Sequence, residues 1–176
     1  MNKEQILYID RFNGLEEYEI NYAIWNFYTE DNCGNLHLQL RSEYKRDEDD
    51  LYPHTLTWEI NFIKSSSNFS ESQLVKGFET NALITDSKNA DSYYNTNFYY
   101  YEHESSEKNY IQILDVESDK ILVKLMGDVM DLDFYDGSKP RSKLTATIWF
   151  VRDPNGSANM GGLTPDSPYY PHKPVN

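Results

Sequence analysis

The side chains with the clearest chemical reach are four histidines, His37, His54, His103 and His172, and one cysteine, Cys33. No two histidines are spaced to share a helical or strand face, so they could meet at a metal only through long-range folding. His37 is the polar member of an alternating apolar run, and His103 lies between Glu102 and Glu104; a solvated strand histidine fills either position without a catalytic role. Cys33 sits in the turn-like EDNCGN, among acids rather than the basic neighbours a reactive cysteine uses. The serines show no G-x-S-x-G elbow, and no glycine-rich phosphate loop follows a strand-like run. The residues therefore point away from an enzyme: no catalytic residue, no cofactor and no metal site is expected.

Two other stretches could bind. The acidic run Asp128 to Gly137, DVMDLDFYDG, gathers hard oxygen donors of the kind calcium takes. Its spacing is wrong for an EF-hand loop, because Asp131 and Asp133 are followed by Asp136 three residues on. Asp131 and Asp133 instead fit the outer face of a strand entering a DG turn, with Met130, Leu132 and Phe134 inward. Gly127 before them is read as a bulge or bend that reverses which parity faces the core. The second stretch, Tyr93 to Tyr101 (YYNTNFYYY), places rings on both faces of a strand, so some must be exposed. Exposed tyrosines offer large rigid area at low entropy cost, which suits a protein interface.

Charge narrows the partner. Lys plus Arg is 16 against 29 Asp plus Glu, a formal net charge of −13, which opposes phosphate backbones and anionic membranes and favours a basic protein. Between Glu102 and Asp136 ten acids face three lysines in 35 residues. Were they to share a face, their field would speed encounter with a basic protein.

The elements that must position these residues are strands. Leu36, Leu38 and Leu40 alternate with polar residues, as do Leu56, Trp58, Ile60 and Phe62, then Leu144, Ala146, Ile148 and Phe150, and also Tyr18, Ile20, Tyr22 and Ile24. The runs Tyr110 to Val116 and Ile121 to Leu125 are separated by a polar link short enough for a hairpin. The fold class expected is all-β with minor α: one antiparallel β-sandwich or barrel of about seven to nine strands. One short helix is expected near residues 71–80, from the capping-box spacing of Ser70 and Gln73 and the shared face of Leu74 and Phe78. The segment Lys3 to Phe12 fits either a strand or one short helix. A single cysteine excludes an internal disulfide, and no run reaches the ~18 apolar residues of a membrane span. The opening MNKEQILYIDRFNG lacks the apolar core of a secretory signal, so a cytoplasmic location is expected. The domain is read as residues 1–152; the Pro/Gly-rich stretch 153–176 is read as a tail docked on it through Tyr169 and Tyr170.

An acidic, cysteine-poor, all-β chain of this kind resembles the immunity proteins of bacterial polymorphic toxin systems. The residues that carry the resemblance are Trp58 and Glu59 in LTWEINF, Gly127 and Asp128 in the LMGD step, and Trp149 in TIWFVRDPNG. The resemblance implies a non-catalytic protein that binds and neutralises a cognate basic toxin. The contact residues expected are Tyr99, Tyr101, Glu102, Glu104, Asp131 and Asp133. The alternative is a carbohydrate- or small-ligand-binding β-sandwich that stacks its ligand on Tyr93, Tyr94, Tyr99 and Trp149.

Overall fold

The computed structural model describes residues 5–44, 54–66, 68–87, 89–100, 102–131, 134 and 136–153. Among the described residues ten strands run in chain order: β1 (Ile6–Arg11), β2 (Gly14–Glu19), β3 (Tyr22–Glu30), β4 (Cys33–Tyr44), β5 (His54–Lys64), β6 (Ser92–Tyr100), β7 (Glu102–Glu104), β8 (Glu107–Glu117), β9 (Lys120–Val129) and β10 (Ser142–Arg152). The all-β expectation holds, with three corrections to its detail.

First, the strands form one open mixed sheet rather than a barrel. Its order is β2-β1-β10-β3-β4-β5-β6-β7, with β9 pairing β10 and β8 beyond it. Pairings are antiparallel except β10 with β3, which is parallel through Ile24 opposite Val151 and Trp25 opposite Arg152. One edge of β10 therefore forks, serving β1 at residues 143–146 and β3 at 151–152. Second, the run Tyr18 to Ile24 is two strands. The Ile20 N–H donates to the Gln5 carbonyl and the Asn21 N–H to the Arg41 carbonyl, so the chain leaves one neighbour and joins another at that point.

Third, the helix expected near 71–80 is a single 3-10 turn, Glu71–Gln73, whose Ser70 makes no side-chain cap. Gly77 has φ +90°, outside helical space. The backbone after it joins the sheet: Gly77 and Thr80 donate to the Ile113 and Ile111 carbonyls, and Ile113 donates to that of Phe78. Further on, Asp86 donates to the Tyr94 carbonyl and Tyr94 to that of Ile84. Segment 77–86 thus spans from the edge of β8 to the edge of β6 and satisfies backbone groups that would otherwise template another chain. Competition from sheet hydrogen bonds and from the Phe78 ring, stacked on Phe69 at 5.9 Å, outweighs a weak capping signal.

The hairpins follow from turn chemistry. Asp31 and Asn32 both take positive φ (49° and 62°) between β3 and β4, the backbone of a two-residue turn that matches strand twist. The Lys3 to Phe12 ambiguity resolves as β1, whose Leu7 and Ile9 are fully buried.

The sheet curls so that its inner face packs on itself. Leu36, Leu38, Leu40, Leu56, Ile60, Ile111, Val123, Ile148 and Phe150 lie in one apolar cluster at 0–1% exposure, the inward parity of every long strand. Trp58 of β5 crosses to β9, and a Cβ placed on Gly127 would come within 3.0 Å of its ring and 2.9 Å of Asn109 Oδ1. The Trp58 indole N–H donates to Ser106 Oγ at 3.0 Å; the Ser106 hydroxyl donates to Asn109 Oδ1 at 2.6 Å, so the polar atoms at this crossing are satisfied. Gly127 is therefore no bulge. Ile121, Val123, Leu125, Gly127 and Val129 keep one parity inward, and Asp131 continues it. A methyl group at residue 127 should force Trp58 or Asn109 aside: Gly127→Ala is expected to lose about 1–3 kcal/mol by urea unfolding with an unchanged m-value.

Candidate functional site

Buried charge comes first, because it removes one expected contact. Asp131 is fully buried. Its carboxylate accepts from Arg11 Nε at 3.3 Å, Arg11 Nη2 at 3.1 Å and the Ser142 hydroxyl at 3.1 Å. Arg11, itself buried, also donates to Glu16 at 2.7 Å, and the Tyr18 hydroxyl donates to the other oxygen of Glu16 at 2.6 Å. The hydroxyls of Tyr18 and Tyr100 lie 3.0 Å apart, linking β2 to β6 across the curl. The expectation of Asp131 as an outward partner contact is thus corrected: unbroken parity through Gly127 sends it inward, where a bidentate guanidinium neutralises it. Asp133 and Tyr101 lie outside the described residues, as does the stretch 154–176 that was expected to dock.

Several of the other described acids of the 102–136 stretch have basic neighbours. Lys108 pairs with Asp128 at 2.8 Å, Arg141 approaches Glu107 at 3.5 Å, and Lys76 approaches Asp115 at 3.6 Å. Glu117 lies at the β8–β9 turn, far in the strand order from Glu102 and Glu104 on β7.

The aromatic run is β6 itself, and the pleat divides it. Tyr94 and Phe98 are buried at 1% exposure, so Tyr94 offers no stacking surface. Tyr99 and Tyr93 point to the opposite face and are half-buried. Tyr99 sits opposite His103 of β7, ring centroids 4.7 Å apart. Glu102 and Glu104 pair with Tyr100 and Phe98, which places them on the other side of the pleat from Tyr99. Of the expected contacts, Tyr99, Glu102 and Glu104 therefore meet only at the short edge strand, from its two faces.

Register assembles a polar face around Tyr99 from residues that in the sequence are only the polar members of alternating runs. Gln39, Glu59 and Asn97 form one row across β4, β5 and β6, and His37, Asn61 and Asn95 form the next. Their side chains are tied together: His37 Nδ1 to Asn61 Oδ1 at 2.8 Å, the Gln39 amide to Glu59, and His103 Nδ1 to Asn97 Oδ1 at 3.0 Å. The signal was present as the polar halves of the alternating runs 36–41 and 55–62; cross-strand register was needed to bring them together. On β3 the same face closes: Tyr22, Ile24 and Asn26 are buried, and the Tyr22 hydroxyl and Arg41 Nε are buried without a hydrogen-bond partner. The accessible part runs from β4 to β7.

Among the described residues, no three of His, Cys, Asp and Glu come together as a metal site requires. No described helix is long and apolar enough to cross a membrane. Comparison with protein-family models, with curated proteins and with solved structures finds no match to this chain.

Two outcomes follow from the buried groups. Asp131→Ala removes the buried carboxylate that Arg11 and Ser142 both meet while Glu16 still pairs with Arg11, and is expected to cost about 1–3 kcal/mol by chemical denaturation. Burial, foremost, raises the pKa of Tyr18, Tyr22 and Tyr94 above the ordinary value of 10.0, Tyr94 to about 12. Above pH 10 the unfolded chain releases protons that the folded one retains, so the stability these tyrosines contribute is complete below pH 10 and lost as pH rises from there, for Tyr94 through about 12. Melting temperature should fall steeply across that window, and less steeply in Tyr94→Phe.

Proposed function

We propose that this chain is a non-catalytic binding protein of the immunity type, which holds a basic protein partner against the β4–β7 face and its β7 edge. The observation that carries the reading is the half-exposed Tyr99 ring against His103, bordered by the Asn97, Glu59 and Gln39 row and by Glu102 and Glu104 at the sheet edge. An aromatic anchor inside a hydrogen-bonded polar rim is the arrangement that concentrates binding energy at protein interfaces. The net charge of −13 steers a cation toward it, and Glu102 stands exposed at the edge. The reading keeps the resemblance to toxin-neutralising immunity proteins and the cytoplasmic setting it implies. It removes Asp131 from the contact set.

The test is binding to the product of the neighbouring gene, by co-expression and by association kinetics. Rescue from growth arrest together with a stable complex supports the reading. Glu102→Lys with Glu104→Lys is expected to slow association at low salt about tenfold or more, while Glu117→Lys with Asp119→Lys at the β8–β9 turn changes it little. Tyr99→Ala is expected to weaken the complex roughly thirtyfold, mainly by faster dissociation. Equal association rates for the two charge-reversal pairs would count against this face.

A further inference from the structure

On the opposite part of the sheet, where β10 forks, lies a groove of about 390 Å³ lined by Gln5, Tyr8, Leu122, Thr145, Thr147 and Trp149 among others. We propose that this groove binds a neutral saccharide, at a site separate from the β4–β7 face and independent of the function proposed for it.

The fork creates the space. β1 pairs with β10 only as far as Leu7 opposite Ala146, and β3 joins only at Val151, so the β10 edge at residues 147–150 lies between two departing strands. Gln5 bridges part of that interval, its Oε1 accepting the Trp149 N–H at 2.8 Å. This bond holds the backbone that carries Trp149 and directs the Gln5 amide into the groove wall.

The lining chemistry selects the ligand. The volume lies within the range of about 300–1,000 Å³ that small-molecule sites occupy. None of the lining residues is ionisable in the neutral range: there is no Asp, Glu, Lys, Arg or His among them. In a chain of net charge −13 an uncharged lining is a local exception; the charges paired in register with it, Glu17 opposite Tyr8 and Lys124 opposite Thr147, are of opposite sign and favour neither a cationic nor an anionic ligand. Tyr8 is 37% exposed, and Trp149, held opposite Leu122, is half-buried, so two aromatic rings supply flat apolar walls. Thr145, directly opposite Tyr8, and Thr147 are exposed, and their hydroxyls both donate and accept. A ligand with an apolar C–H face for the rings and a rim of hydroxyls for Thr145, Thr147 and Gln5 matches this set, and a sugar ring has both. The carbohydrate alternative raised by the sequence thus moves away from Tyr94, which is buried, to Trp149 with Tyr8 as its partner ring.

Trp25 and Trp58 are 4% and 1% exposed, so a ligand-induced change in tryptophan emission reports on Trp149. The test titrates the full chain with three neutral probes, cellotriose, maltotriose and chitotriose, with saturation-transfer NMR as a second readout. At least one probe is expected to give a saturable emission change with Kd at or below about 1 mM. Thr145→Val with Thr147→Val should weaken that binding about tenfold or more at an unchanged melting temperature. Trp149→Phe, read by NMR, tests the ring wall should the threonine pair prove unstable, and should weaken binding likewise. Tyr99→Ala should leave it intact. No saturation with any probe by about 10 mM, or binding that survives both groove variants, overturns the proposal.

Discussion

The contact between the Trp58 ring and the backbone at Gly127 governs much of what this protein can present to its surroundings. A wide sheet with one apolar face can dry that face by curling until opposite walls meet, and here they meet where β5 reaches β9. A glycine is required at the point of closest approach, because any Cβ would enter the space of Trp58 and Asn109. With residue 127 occupying an inward position rather than a bulge, the strand's parity runs on through Val129 to Asp131. An acid is thereby carried into the interior, and the interior tolerates it because Arg11 and Ser142 are placed to meet both its oxygens.

That chain of consequence redistributes the protein's negative charge. Asp131 is neutralised inside, and Asp128, Glu107 and Asp115 have basic neighbours at the surface. Among the described acids of this region, those without an ion pair above are Glu102 and Glu104 at the β7 edge, Glu117 and Asp119 at the β8–β9 turn, and Asp136 in the turn before β10. The β7 pair adjoins the half-buried Tyr99 ring, and the proposed interface is drawn there.

The sheet's other device is the fork in β10. One strand edge shared between an antiparallel and a parallel neighbour cannot be fully paired along its length, since the two neighbours arrive from different directions. The unpaired interval is bridged by a glutamine side chain and opens the neutral groove beside Trp149. The two candidate surfaces thus arise from different structural causes, an ordered polar ladder in one case and an interruption of pairing in the other.

Strand identity and inward parity were legible from the residues alone for Leu36 to Leu40, Leu56 to Phe62 and Leu144 to Phe150, because a one-residue slip would expose every apolar side chain in the run. The same rule showed that Tyr93 to Tyr101 must offer rings to both faces. Local pattern could not show that Tyr18 to Ile24 divides between two neighbours, nor that residues 77–80 prefer the edge of β8 to a helix, since both depend on hydrogen-bond partners distant in the chain. It could not show that Asp131 meets Arg11, 120 residues away, or that Tyr99 and Glu102 lie on opposite sides of one hairpin. Alternation along a strand records which residues are alike in environment; which strand lies across from which, and therefore which side chains meet, is decided only when the whole sheet curls and closes on its core.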